Sequence, residues 1–387
     1  MKERVLLIHN FYQIGGGEHT VFENEKRMLT EHGHDVVEYT RDNAELNNSF
    51  LKKIFLPFTT VFSLKTYREV KHIIRSEKID LVHCHNTFPL ISPSVYYAAC
   101  RCGVPVIQTV HNFRFICANG VLSRNGMPCT ACVKDGLGCA LSHRCYRNSW
   151  LETLVLINML WFHRLIGTYR KIRYIFLTDF NRDKFRPLLG EWLDRQFIKP
   201  NFEYIDPVIP ETTRKNAYVF IGRLEKDKGI DFLLEAWTTE TRRDLYIFGK
   251  GVLENSVKEA CEKNSRLHLM GFQPKEVVLD YLGKAKGFIF STDLYEGFPM
   301  TIIEAFAMGT PVICSDIGNG ADIVRKHHAG ASYAVRNVDS LWKAASEVEE
   351  HFGEYSMNAR KAYLENYTPE RNYLQLKTIY EEVVNEQ

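Results

Sequence analysis

Short runs of consecutive apolar residues alternate along this chain with longer stretches in which apolar residues recur every three or four positions. The first run, Arg4-Val5-Leu6-Leu7-Ile8-His9, is followed by Gly15-Gly16-Gly17-Glu18 and then by a helical pattern through Phe22, Met28 and Leu29. That order predicts strand, glycine turn, helix. Further strand-length runs fall at 35–39, 80–84, 105–110, 174–177 and 197–198. Pro200, Pro207 and Pro210 then mark an extended connector over 199–211. Beyond it the pattern restarts, with five more strands expected at 217–222, 245–249, 267–270, 287–290 and 311–314. Strands alternating with helices imply parallel sheets covered on both faces, here two doubly wound halves whose ligands sit beyond the carboxyl ends of strands, in a cleft between the halves. A last helix over 370–384, with Leu374, Leu376, Ile379, Tyr380 and Val383 as its apolar positions, suits either half.

The length of 387 residues agrees with two domains, and 45% hydrophobic with 25% charged residues is the mix of a folded globular protein. The net charge of +2 hides an asymmetry: residues 1–200 hold 27 Lys and Arg against 18 Asp and Glu, so they carry +9 and the remainder −7. A basic half suits an anionic partner or complements the acidic half, and the two readings weigh equally. The apolar run after Met1 is too short for a signal peptide, so export is not expected and the ten cysteines read as reduced thiols, metal ligands or packing.

The chemistry concentrates in the second half. After the strand ending at Phe290 comes Ser-Thr-Asp-Leu-Tyr-Glu296-Gly297-Phe298-Pro299-Met-Thr-Ile-Ile-Glu304, then Gly309. Pro299 and Gly309 bound a predicted nine-residue helix whose N-terminal amides form an anion site, and Gly297 lets backbone approach an oxygen. Glu296 and Glu304 would accept sugar hydroxyls, although two carboxylates alone more often lie on a solvated surface. A second anion feature, Gly222-Arg223-Leu-Glu-Lys-Asp-Lys228-Gly229, tips the balance, because Arg223 grips phosphate bidentately and Lys228 adds a point charge. Phe248-Gly249-Lys250-Gly251 supplies a third strand-to-helix turn, and three such turns at neighbouring strand ends would converge on one anion.

With these motifs in order, and with Val82-His83-Cys84-His85-Asn86 and Thr109-Val110-His111-Asn112, the chain resembles the retaining glycosyltransferases of family 4 over essentially its full length. The resemblance implies an α/β architecture of the GT-B type: two doubly wound Rossmann-like domains facing each other across a cleft. The domains would span 1–200, with a Cys-rich insertion at 113–149, and 201–366, with a helix at 367–387 returning to the first domain. It implies that Arg223 and Lys228 bind the diphosphate of a nucleoside diphosphate sugar, Glu296 contacts the donor sugar and Glu304 the ribose. Gly297, Phe298 and Pro299 would offer backbone to phosphates and sugar, with Gly222 and Gly249 in the same donor site. Gly16 and Gly17 would lie near the diphosphate and acceptor, and His111 would face the transferred sugar. The acceptor would be a glycan or lipid-linked glycan, in surface polysaccharide assembly. A non-catalytic sugar-nucleotide-binding or scaffold protein of the same fold is the alternative.

No Asp-X-Asp pair is present, so no cofactor or metal is expected for catalysis, and the missing Gly-X-Gly-X-X-Gly after the first strand weakens a nicotinamide oxidoreductase. His83 and His85 read as structural, with no carboxylate at useful spacing. Cys117, Cys129, Cys132, Cys139 and Cys145 crowd the insertion, where a structural zinc and free or redox-active thiols are equal readings. The run at 151–167 is apolar but carries Glu152, His163 and Arg164, which predicts a buried core helix rather than a spanning one. Aromatics at 50–62 followed by Lys65, Arg68, Lys71 and Arg75 would rest on an anionic membrane surface or pack on the sheet, the latter slightly favoured. The expected setting is cytoplasmic, peripheral at the inner membrane face, with no nucleic acid as partner.

Overall fold

The computed structural model describes residues 3–13, 16–46, 50–206 and 214–386, without the side chains of 50–54. Gly15 and the connector residues 207–213, Pro207 and Pro210 among them, lie outside the described residues, as do the side chains of Phe50, Lys52 and Lys53. The chain divides into two compact units: Met1–Val121 with Thr130–Asn201 and Pro369–Gln387, and Leu122–Cys129 with Phe202–Thr368.

The first unit is built on strands β1 (Arg4–Phe11), β2 (Asp35–Asp42), β3 (Leu81–Cys84), β4 (Val106–Val110), β5 (Arg173–Phe176) and β6 (Phe197–Ile198). They form one parallel sheet in the order β2-β1-β3-β4-β5-β6. Val5, Leu6, Leu7 and Ile8 are wholly buried, as a central parallel strand covered on both faces requires. The edge strand β2 instead keeps mostly part-exposed residues, Tyr39 being its buried hydrophobe.

The second unit holds β7 (Lys215–Ile221), β8 (Asp244–Phe248), β9 (Leu267–Gly271), β10 (Ala285–Phe290), β11 (Val312–Ser315) and β12 (Gly330–Tyr333), all parallel, in the order β9-β8-β7-β10-β11-β12. This is the Rossmann order, and its direction reverses between β7 and β10. The sequence pattern predicts five of these strands and not β12. That strand is short and opens on small residues, and only Ala331 and Tyr333 are buried, so its apolar signal is two alternating positions.

Three helices differ from expectation. The helix after Pro299 spans Met300–Ala307, eight residues, with Pro299 (ψ 94°) just before its first turn. The Trp150–Leu165 helix is not a buried core helix: Leu156, Ile157, Leu160 and His163 face inward, whereas Leu151 (69%), Trp161 (47%), Phe162 (45%) and Leu165 (86%) are exposed. Its polar residues are too few to coat the outer face, so apolar side chains occupy it. The segment at 50–76 is two helices, Phe50–Val61 and Leu64–Ser76, the second capped by Ser63 Oγ, which accepts from Thr66 N at 3.2 Å. The Pro369–Asn385 helix packs in the first unit through Tyr373, Leu376, Ile379, Tyr380 and Val383, with Leu374 turned outward. No helix among the described residues is long and apolar enough to cross a membrane.

Two glycines test the packing. Gly330 has φ +149°, and a Cβ there would sit 1.9 Å from the Val312 carbonyl oxygen, whereas a Cβ at Gly353, inside the Phe352–Asn366 helix, would meet nothing within 4 Å. Gly330→Ala is expected to cost on the order of 3 kcal/mol in urea denaturation, by forcing strained backbone apart. Gly353→Ala is expected to add roughly 0.5 to 1 kcal/mol.

Candidate functional site

In the second unit the functional residues gather where the strand order reverses. Beyond β7, the turn at Gly222 lies against the turn after β8: Gly222 N donates to Phe248 O at 3.0 Å and Leu224 N to Lys250 O at 2.9 Å. Gly249 (φ +141°) is required here, since a Cβ would fall 1.8 Å from the Gly222 carbonyl oxygen. Its demand is thus backbone against backbone. Gly229, at the end of the same loop, passes so close to β10 that a Cβ would meet Ser291 O at 2.0 Å. Ser291 Oγ donates to Lys228 O at 2.8 Å and Asp293 N to Asp227 O at 3.0 Å. The lysine loop is therefore stitched to the end of β10.

That stitching brings Lys228 Nζ onto the Glu296 carboxylate, which also accepts from Thr292 Oγ1 at 3.3 Å. Asn319, buried, donates from Nδ2 to Glu296 O (2.6 Å) and Gly297 O (2.9 Å), and so fixes the loop that leads through Phe298 and Pro299 into the helix. The first amides of that helix lack intrahelical partners and carry its positive dipole end. Arg223 follows a different course: its guanidinium pairs with Glu225 at 2.9 Å and Asp227 at 3.5 Å and is 61% exposed. Glu304 lies within the helix, 3.4 Å from Lys275, which also bonds Glu203 at 2.5 Å. Burial pushes the Glu304 carboxyl up to about 7, Lys275 opposing and Glu203 adding to the rise. Asn319, Lys275 and Glu203 escape sequence reading, because their partners come from distant segments.

In the first unit the corresponding reversal falls between β1 and β3, and there three histidines meet a carboxylate. Glu25 Oε1 lies 3.0 Å from His83 Nδ1 and 3.1 Å from His85 Nε2, and Glu25 Oε2 accepts from Lys199 Nζ at 3.0 Å. His85 Nδ1 is 2.9 Å from His111 Nε2. His83 also bonds Tyr380 OH and Thr109 Oγ1, each at 2.7 Å, and Lys199 bonds Asn372 Oδ1 at 2.8 Å. The expectation of histidines without a carboxylate is thereby corrected: Glu25 is that carboxylate. Its signal was legible as a charge on the apolar face of the Gly17–Glu31 helix, beside Val21, Phe22, Met28 and Leu29. With both nitrogens of His83 engaged and an ammonium on Glu25, the cluster already carries its own cation and is a hydrogen-bond relay.

The relay sets protonation. Burial raises Glu25, but Lys199, His83 and His85 outweigh it and hold the carboxyl well below its ordinary range. Burial lowers His83 to about 4 and His9, stacked on Phe22, to about 3. His111 is driven well below its usual value by burial and then by His85 and His9. A carboxylate accepts only, so His85 carries a proton on Nε2, and its Nδ1 shares one hydrogen bond with His111 Nε2. Gly16 and Gly17 open the Gly17–Glu31 helix, and Glu18 Oε2 in its first turn accepts from Asn112 Nδ2 at 3.3 Å, which joins that helix end to the His111-Asn112 pair.

The insertion's cysteines are thiols, with no disulfide among the described residues. Cys139 Sγ lies 3.7 Å from Cys132 Sγ, and hydrogen bonding from Cys117, then burial, raises the Cys132 thiol. Cys117 and Cys139 also donate to Asn119 Oδ1 and Gly136 O, each at 3.0 Å. Cys129 belongs to the second unit's short segment, and Cys145 to the first unit. Cys117, Cys132 and Cys139 thus neighbour one another, whereas the three donor atoms that lie within 4.8 Å of one another among the described residues are those of Glu25, His83 and His85.

Glu25→Gln leaves the Lys199 ammonium buried without a counter-charge, and equilibrium unfolding is expected to show a loss of about 3 to 5 kcal/mol. Histidines held below their usual value accept protons on unfolding, so stability is expected to fall as pH drops from about 6.5 towards 4. His83 alone accounts for on the order of 3 kcal/mol, read from urea midpoints across that range.

Two family models match this chain: Glycosyltransferase Family 4 over residues 14–163 and Glycosyl transferases group 1 over residues 215–351. An uncharacterized glycosyltransferase of Methanocaldococcus jannaschii is 22% identical over 353 residues, 87% of this chain and 84% of that protein. Among solved structures, a glycosyltransferase from Rickettsia africae superimposes with a TM-score of 0.70 at 18% identity, covering 100% of both chains. Anabaena HepE in complex with UDP gives 0.64 at 13% identity, over 98% of this chain and 100% of that one. With the two models matching residues 14–163 and 215–351 in that order, the chain belongs to glycosyltransferase family 4 and has the GT-B fold of two Rossmann-like domains.

Proposed function

We propose that this glycosyltransferase moves a sugar, with retention and without a catalytic metal, from a nucleoside diphosphate sugar to a hydroxyl of a glycan or lipid-linked glycan in surface polysaccharide assembly. The observation that carries the reading is the Lys228–Glu296 pair, held beside the amide end of the Met300–Ala307 helix at the strand reversal. A diphosphate arriving there gives Lys228 a stronger partner and frees Glu296 to accept hydroxyls of the donor sugar. Arg223, on the exposed loop, swings from Glu225 and Asp227 to the same phosphates, and Glu304 takes the ribose. The solved HepE complex with UDP supports a nucleotide on this fold.

In the reaction the C1–oxygen bond to the diphosphate breaks, its electron pair leaving on the phosphate oxygen. The acceptor hydroxyl bonds to C1 from the same face, and its proton passes to the departing phosphate. Arg223, Lys228 and the helix amides stabilise the growing negative charge. We assign His111, neutral and fixed by His85, to the transferred sugar, and no general base is needed. Gly16 and Gly17 are assigned to the acceptor side. The setting we propose is cytoplasmic, at the inner face of a membrane.

Arg223→Ala is expected to lower turnover by on the order of 10² to 10³ in a donor-hydrolysis or transfer assay. A scaffold would show no turnover to lose. Because ribose hydroxyls donate to an ionised carboxylate, affinity for uridine diphosphate is expected to rise with pH through about 7, where Glu304 titrates. Calorimetry should find that slope flattened in Glu304→Gln.

A further inference from the structure

Within the first unit, a groove of about 680 Å³ runs between the Phe50–Val61 and Trp150–Leu165 helices. Leu56, Pro57, Phe88, Tyr146, Leu151 and Val155 give it an apolar body. Its mouth opens beside outward-facing Phe55 (57% exposed) and Phe58 (72% exposed), and the next helix carries Lys65, Arg68, Lys71 and Arg75.

The inner end has the opposite character. The Arg114 guanidinium stacks over Phe88 at 4.7 Å and over Tyr146 at 5.4 Å, two rings of the groove wall. Its Nε and Nη1 are buried without a hydrogen-bond partner, as are Tyr12 OH, which lines the groove, and Glu18 Oε1. Buried donors left unpaired cost about 1 to 3 kcal/mol each, more when charged, so Nε and Nη1 of this guanidinium, whose near polar neighbour is Tyr12, suit an anion. Glu18 does not fill that role, because Oε1 bonds no donor and Oε2 accepts from Asn112, and burial pushes the carboxyl up to about 8 against the pull of Arg114. Arg147, also lining the groove, adds a second cation, and Glu152 is the opposing charge on that wall.

Arg114 also stands next to the transfer chemistry. Its backbone N–H donates to Asn112 Oδ1 at 3.0 Å, and Arg114, Phe88 and His111 line one small cavity. Apolar groove, guanidinium, Asn112 and His111 thus follow one another in that order. The matching ligand has the same order: a long apolar chain, a phosphate, then a hydroxyl-bearing sugar.

We propose that the acceptor is a lipid phosphate whose hydrocarbon chain lies in this groove and whose phosphate is held by Arg114, which sets its sugar hydroxyl at His111. This rests on the glycosyltransferase reading above and narrows its acceptor to one chemical class. Arg114 is a binding residue for that acceptor, Val155 and Leu56 part of the wall for its chain.

The test is calorimetric binding of farnesyl phosphate below its micelle concentration, compared with inorganic phosphate, farnesol and uridine diphosphate, on the full chain. Farnesyl phosphate is expected to bind at least about tenfold more tightly than phosphate or farnesol. Arg114→Gln is expected to weaken it by about 10- to 100-fold, the scale of lost charge-assisted hydrogen bonds, with Arg114→Lys recovering part. Val155→Trp, which fills the groove and leaves the charge in place, should also abolish binding, and unchanged urea midpoints identify variants that fold. Equal binding by wild type and either Arg114→Gln or Val155→Trp overturns the proposal. So does phosphate binding as well as the lipid, or adhesion to anionic vesicles without binding of soluble farnesyl phosphate. If wild type binds uridine diphosphate and not farnesyl phosphate, only the acceptor assignment fails. If it binds neither, the donor reading fails with it.

Discussion

The first unit depends on one buried ion pair, Lys199 with Glu25. Neither charge reaches solvent, and the desolvation of each is offset only by the other and by the hydrogen-bonding groups around them. That requirement explains the neighbourhood: Asn372 on the ammonium, His83 and His85 on the carboxylate, and Tyr380 and Thr109 closing His83. The chain of partners ends at His111, whose orientation is inherited from Glu25 through the His85 ring, while burial keeps it neutral. Such a network is intolerant of loss, since deleting any polar member strands another inside a medium that cannot hydrate it.

The second unit solves a different problem. Its glycines let two turns and a strand end approach at backbone distance, and the Lys228 loop and the Glu296 loop become one surface. A cation placed beside a helix amide end would repel its own surroundings without a carboxylate, and Glu296 supplies one. Arg336 fastens the same region from outside, bonding Asp293 at 2.7 Å and Asp231 at 3.1 Å.

Much of this was legible in the sequence because parallel strands are buried on both faces and read as unbroken apolar runs. β1, β7 and β10 announce themselves that way, and the Glu296-to-Glu304 motif follows directly from where β10 ends. β12 was missed because four residues with two inward positions give no such run. Glu25 was missed for the reverse reason: a charge on an apolar helix face is read as an exception until its partner is known, and Lys199 lies 174 residues away. The exposed apolar face of the Trp150–Leu165 helix resists sequence reading, because composition reports what a helix is made of and not which side has a neighbour.

The placement of the Pro369–Asn385 helix has a consequence for synthesis. Asn372 and Tyr380, both needed to complete the surroundings of Lys199 and His83, follow those residues by 173 and 297 positions in the chain. The unit whose strands are made first is therefore closed only after the second unit's residues have been made. Until then its buried charges must stay hydrated and its sheet incompletely sealed, so the Pro369–Asn385 helix acts as the closing piece that converts a loose nascent unit into a rigid one.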